Sequence, residues 1–280
     1  MGNVLSKLDA IKFLGLDEKT FDNYFKNADE FVCVPRENGR GRYLFEEEEL
    51  TRWKQEHEWR TVKLNFEDYA LCLDFALAQH FRGYVLSDWG TARQREFGQK
   101  ITNWVKGQLG EVAVQKFLKK YFDLEVELDF DIYTTIVPQD IIGVFKSGRM
   151  RKSKLGVGIK SSKPKSAYLV LGQNEINLPE RRSDVYIYCR PDIPDDHLLR
   201  VTKDLIIKAV KDKPHFSKYK DLLPDFSDIP CEIAGWCRPD DLEEVSSIPG
   251  QTFDNGTRFV KKSGLLRRSK DDWKRLIKML

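Results

Sequence analysis

Three short apolar segments between residues 138 and 175 constrain the fold of this 280-residue chain more than any other feature. They read IIGV at 141–144, VGI at 157–159 and YLVL at 168–171. Runs of this length, bounded by glycine and polar residues, are typical of buried strands. Asp140 precedes the first segment, Lys160 ends the second, and Glu175 follows the third. The pattern therefore predicts a sheet whose strand ends carry an acid, a lysine and a second acid.

These charges are the set that metal-dependent phosphodiester hydrolysis needs. Carboxylates bind a divalent cation, which lowers the pKa of a bound water and neutralises charge on the phosphate. A lysine can orient that water or stabilise the oxyanion. Asp140, Lys160 and Glu175 are suited to these roles, with Mg²⁺ as the expected cofactor.

Glu111 is a further candidate, within a helical run predicted over 91–121 with an interruption near 107–110. Gly110 and Ala113 are small enough for the helix to pack closely on a sheet, which favours a place for Glu111 in the site. The alternative is that Glu111 is a first-turn residue stabilised by the helix dipole. The dipole accounts for the acid but not for the glycines at 107 and 110.

Composition limits the classes of protein without selecting one. Hydrophobic residues make up 41% of the chain, enough for one large or two modest domains. Charged residues make up 32%, but the net charge is only +3, so any case for nucleic-acid binding must rest on local clusters.

The five cysteines are odd in number and contain no CxxC pair, so neither a disulfide framework nor a zinc site is indicated. A reducing cytoplasm is therefore the expected compartment. No apolar run reaches the length of about 18 residues typical of a membrane span.

Residues 5–60 predict a small winged helix. Ser6 and Asp17 are expected to begin two short helices, and Gly15 ends the first. A strand over 31–34 and an Asn-Gly hairpin at 38–39 follow, before a closing helix over 46–56.

The stretches AIKFLGLDEKTFDNYFKN and GRGRYLFEEEELTRWKQE resemble the winged helix of MerR-type regulators and phage excisionases. The resemblance implies a second helix in the major groove and a wing on phosphates or in the minor groove. The residues expected to contact DNA are Lys19, Thr20, Asn23 and Lys26 in the helix and Arg36, Arg40 and Arg42 in the wing. The alternative is an ordinary helical subdomain with solvated arginines.

The rest of the chain supplies a helix over 66–81, strands over 124–133 and 182–189, and helices over 201–210 and 270–280. An edge strand is expected at 231–237. The loop 145–154 is rich in basic residues and free of acids, so it is predicted to be a basic hairpin that meets DNA phosphates. The alternative is a solvated turn. The further candidate DNA contacts are Arg149, Arg151 and Lys163.

The stretches GQLGEVAVQKFL, PQDIIGV and VGIKSSK resemble the PD-(D/E)XK nuclease superfamily, and within it type II restriction endonucleases, over residues 91–260. The resemblance implies an α/β fold with a mixed sheet flanked by helices. It also implies Mg²⁺ bound among Glu111, Asp140 and Lys160, a double-stranded DNA substrate, and a homodimer that cuts both strands.

One position departs from the family pattern. The residue two before the lysine, normally acidic, is Gly158, which cannot bind a metal. Either Glu175 or Glu111 supplies the missing carboxylate, or the site has decayed. The sequence thus predicts a site-specific DNA endonuclease with a winged helix at 1–60, a helical linker at 61–90 and a nuclease domain at 91–280. The alternatives are a non-catalytic DNA-binding regulator and a structure-specific repair nuclease.

Overall fold

A computed structural model describes residues 3–34, 43–82, 96–132, 139–146, 148–209, 222–253 and 256–280. Its α-helices are α1 (Lys7–Leu14), α2 (Glu18–Asp22), α3 (Glu47–Trp59), α4 (Phe66–Arg82), α5 (Phe97–Phe122), α6 (Gln173–Asn177), α7 (His197–Ala209) and α8 (Lys270–Met279). Its strands are β1 (Val4–Ser6), β2 (Leu44–Glu46), β3 (Thr61–Leu64), β4 (Glu125–Leu128), β5 (Ile141–Lys146), β6 (Arg149–Lys152), β7 (Val157–Ser161), β8 (Tyr168–Leu171), β9 (Val185–Pro191), β10 (Ile229–Cys237), β11 (Glu243–Val245), β12 (Ser247–Ile248), β13 (Gln251–Thr252) and β14 (Arg258–Lys262). Within these ranges, no helix is both long and apolar enough to cross a membrane.

The predicted mixed α/β fold is confirmed. The central sheet has the strand order β3-β10-β9-β7, with β7 parallel to β9 and the other pairs antiparallel. All seven residues of β9 are buried, as expected for a strand covered on both faces. The predicted edge position of 231–237 is wrong, because β10 pairs with β9 on one side and with β3 on the other.

Helix α5 packs against this sheet and runs for 26 residues without a break. The predicted interruption near 107–110 is therefore wrong. A Cβ added at Gly110 would lie 2.0 Å from Ser161 Oγ and 3.2 Å from the Cβ of Cys189. Gly110 thus lets the helix backbone approach β7 and β9 closely, and tertiary packing offsets its low helix propensity.

Two smaller three-stranded sheets flank the centre, in the orders β4-β5-β6 and β11-β14-β8. Strand β6 pairs antiparallel with β5. The predicted basic hairpin over 145–154 therefore contains the end of β5 and the whole of β6. The short strands β12 and β13 pair with each other.

At the N-terminus, Ser6 caps α1, Asp17 caps α2, and Gly15 ends α1 in the left-handed region with a φ of 66°, as the sequence predicts. A winged helix is not confirmed. Residues 31–34 do not form the predicted strand. The segment contacts β2 through one backbone hydrogen bond, which the N–H of Val34 donates to Leu44 O at 2.8 Å. The predicted wing at 35–42 lies outside the described residues.

A buried ionic cluster fastens this N-terminal segment to the central sheet. Arg190 on β9 lies 3.1 Å from Glu30 and 2.6 Å from Glu232, a residue of β10. Arg60, which follows α3, also contacts Glu232 at 3.1 Å. All four residues are buried. A buried charge is tolerated only when it is paired, so the segment and the sheet depend on each other for neutralisation.

The close approach at Gly110 yields a test with a matched control on the same helix. Gly110→Ala should lower the free energy of unfolding by about 1–3 kcal/mol, because the added methyl group overpacks the contact with Ser161 and Cys189. A Cβ at Gly107 meets nothing within 4 Å, so Gly107→Ala should stabilise the helix by about 0.5–1 kcal/mol. Denaturant unfolding measures both, and equal stability of the two variants would contradict the packing account.

Candidate active site

Lys160 and Glu175 form an ion pair at the end of β7. The Lys160 ammonium lies 2.7 Å from Glu175 Oε1, and Glu175 Oε2 accepts a hydrogen bond of 2.9 Å from the backbone N–H of Gly172 at the start of α6. Burial disfavours both charged forms, but the mutual attraction outweighs it. The pKa of Glu175 is therefore lowered and the pKa of Lys160 is raised.

Asp140 is held against the free edge of β7. Its backbone N–H donates to Val157 O at 2.9 Å, and its carboxylate accepts a hydrogen bond from the N–H of Ile159. The carboxylate therefore lies beside the residue that precedes Lys160. Burial, with help from the charges of Glu175 and Asp129, raises the pKa of Asp140 to about 6 against the opposing effect of Lys160.

Glu111 approaches from α5 and is buried, with 7% of its surface exposed. Its Oε1 accepts a hydrogen bond of 2.9 Å from the amide of Gln108, one turn earlier. Burial, followed by repulsion from Asp140, raises the pKa of Glu111 well above its usual value. Glu111, Asp140, Lys160 and Glu175 thus lie close enough for their charges to shift one another's pKa values.

The donor chemistry fits a divalent cation at Glu111 and Asp140. Each of these acids resists ionisation partly because of its neighbours, and a cation between them would remove that repulsion. Gln108 Oε1 is also buried and has no hydrogen-bond partner among the described residues. Within the same residues, however, no group of three or more His, Cys, Asp or Glu is arranged to hold a metal ion. The predicted set of Asp140, Glu175 and Glu111 is not preassembled, since Glu175 is directed at Lys160.

Gly158 has a structural reason for lacking a side chain. A Cβ there would lie 2.8 Å from Ser183 Oγ and 3.1 Å from the Tyr186 ring. The tyrosine hydroxyl accepts from the Ser183 N–H at 3.1 Å and donates to Glu175 O at 3.0 Å. The space of the usual acid is therefore filled by groups that support Glu175.

Sequence reasoning missed three members of this site. Asp129 lies at the end of β4, donates its N–H to Asp140 O at 3.3 Å, and adds negative charge beside both Glu111 and Asp140. The spacing of Gln108 and Glu111, three residues apart on a helix, was a usable signal for their contact. Nothing local in the sequence indicated that Tyr186 would pack over Gly158.

Two of the residues predicted to contact DNA form hydrogen bonds within the protein. Thr20 is buried and its hydroxyl donates to the capping carboxylate of Asp17 at 2.7 Å. Asn23 donates to Lys165 O at 2.6 Å and so faces the body of the protein. Thr20 is therefore inaccessible to DNA, whereas Asn23 is half-buried.

The other predicted contacts are placed differently. Lys19, Arg149 and Lys163 are exposed, and so is Lys26, which pairs with Asp22 at 2.9 Å. Arg151 is half-buried and donates to Leu280 O at 2.6 Å, so its guanidinium is engaged at the C-terminus. The wing residues Arg36, Arg40 and Arg42 lie outside the described residues.

Comparisons of the chain with protein-family models, with curated proteins and with solved structures found no match. The resemblance to nucleases therefore rests on the sequence motifs alone.

The raised pKa of Asp140 predicts a pH-dependent gain from Asp140→Asn. The pKa of an aspartate in the unfolded chain is about 3.9, below the pKa of Asp140 in the folded protein. Between pH ~4 and ~6 the unfolded state therefore binds fewer protons than the folded state, and the wild type loses stability as pH rises. The variant lacks this proton, and its advantage should grow through that window to at most about 3 kcal/mol at neutral pH.

Denaturant unfolding at pH values from 4 to 8 measures the difference, with Asp131→Asn as a control at a nearby exposed acid. A variant that is less stable than the wild type at pH 7, or a stability difference that does not change with pH, would contradict the raised pKa of Asp140.

Proposed function

We propose that this protein is a metal-dependent DNA endonuclease. The observation that carries the proposal is the meeting of two acids with raised pKa values, Glu111 and Asp140, beside the Lys160 ammonium at the edge of β7. Titratable groups with strongly perturbed pKa values cluster at functional sites, and acids beside a lysine suit metal-dependent hydrolysis of phosphate esters.

Each group has a chemical role in this proposal. Glu111 and Asp140 would hold Mg²⁺, which when bound supplies a water of lowered pKa and neutralises charge on the phosphate. Lys160, held by Glu175, places a positive charge where negative charge develops on the phosphate oxygens.

Double-stranded DNA is the proposed substrate, as for type II restriction endonucleases. The exposed cations Lys19, Lys26, Arg149 and Lys163 are available to backbone phosphates. A homodimer in the cytoplasm, with one site for each strand, is the accompanying proposal. Thr20 is buried, and Asn23 is hydrogen-bonded to Lys165 O. Base recognition would therefore require other residues.

One observation favours a second candidate, a DNA-binding protein without catalytic activity. Both carboxylate oxygens of Glu175 already have partners, namely Lys160 and the Gly172 N–H. If this pairing is permanent, Lys160 is neutralised and Glu175 cannot bind a metal. The two candidates differ in whether DNA is cut, while both include DNA binding.

Lys160→Ala tests the proposal. Loss of the cation should lower the rate of DNA cleavage with Mg²⁺ by at least about 10²- to 10³-fold, since its contribution is to the transition state. Lys165→Ala is the control, because Lys165 pairs on the surface with Asp17 at 2.5 Å. Thermal unfolding of both variants checks that the fold is kept.

Undiminished cleavage by Lys160→Ala would contradict the proposed role. A wild-type protein that binds DNA with Mg²⁺ but never cuts it would favour the non-catalytic candidate.

A further inference from the structure

Lys106 is a largely buried lysine whose ion pair is weak. It lies on α5 one turn before Gly110, and only 13% of its side chain is exposed. Its ammonium is 4.0 Å from Asp195, whose side chain is fully exposed. Such a contact contributes little, because water screens the exposed partner. The burial of Lys106 is therefore poorly compensated by this acid.

A second lysine, Lys163, exerts an electrostatic effect on Lys106 where α5 packs on β7. Ser161 donates to Gly107 O at 3.5 Å, and Lys163 follows two residues later. Burial lowers the pKa of Lys106, the exposed acids Asp195 and Asp192 raise it, and the charge of Lys163 lowers it again. The two ammonium groups therefore repel each other.

Two repelling cations beside a candidate phosphodiesterase site suit a bound anion. Lysine is a common phosphate ligand and acts as a point charge. Lys163 lies three residues after Lys160, and Lys106 lies five residues before Glu111 on the same helix. A phosphate between Lys106 and Lys163 would thus be close along the DNA backbone to a phosphate at Lys160.

We infer that Lys106 and Lys163 together bind one backbone phosphate of double-stranded DNA next to the phosphate that is cut. The inference rests on the proposed function and names a substrate contact that sequence motifs did not indicate for Lys106. It is a binding site, so its test needs no cleavage.

The experiment measures the affinity of the full chain for a short DNA duplex in EDTA over a series of salt concentrations. Lys106→Met keeps the apolar stem but loses the charge, so affinity should fall and the slope of log K against log salt should decrease in magnitude by about 0.9. Lys163→Met should have a similar effect, and Lys106→Arg should keep the wild-type slope.

Lys63→Met is the matched control. Lys63 also has an ion pair of 4.0 Å, with Asp228, but it lies on the outer strand β3. The slope of log K against log salt for Lys63→Met should equal that of the wild type. Thermal unfolding of each variant confirms the fold.

A wild-type slope in both Lys106→Met and Lys163→Met would overturn the inference, as would absence of duplex binding by the wild-type protein. Cleavage is measured separately with Mg²⁺. Binding that depends on Lys106 without cleavage supports this phosphate site and contradicts the endonuclease proposal. Cleavage with unchanged slopes supports the endonuclease proposal and overturns this site.

Discussion

The close contact between α5 and the central sheet at Gly110 is the constraint on which the candidate site depends. The helix can lie against Ser161 and Cys189 only because residue 110 has no side chain. The next residue, Glu111, is thereby buried near Asp140, and both acids have raised pKa values. The buried acids lower the stability of the fold, because burial of ionisable groups without full compensation is unfavourable. Such local cost is typical of functional sites.

The free edge of β7 organises the remaining groups. Asp140 bonds to the backbone along that edge, α5 packs against Ser161 at the end of the strand, and Lys160 in the same strand pairs with Glu175. Strand β9 supports both parts of the molecule from the centre. Its Tyr186 holds Glu175 and fills the space at Gly158, while its Arg190 neutralises Glu30 of the N-terminal segment. The N-terminal segment therefore shares its stability with the sheet that carries the site.

The sequence predicted what local pattern determines. The apolar runs gave β5, β7, β8 and β9, and Lys160 in β7 pairs with Glu175, which follows β8. Caps at Ser6 and Asp17 located two helices, although the winged arrangement is not confirmed.

Tertiary packing decided the rest, and local pattern could not reveal it. The glycines at 107 and 110 suggested a helix break, but contact with the sheet keeps α5 continuous. The hydrogen bond of Asn23 depends on a carbonyl 142 residues away, and the interior position of β10 depends on the short strand β3.

The most direct test of the central claim is an assay of plasmid DNA with the wild-type protein and the Asp140→Asn variant, with Mg²⁺ and with EDTA. The account predicts double-strand cleavage only by the wild type with Mg²⁺, whereas equal cleavage in EDTA or by the variant, or no cleavage at all, would contradict it.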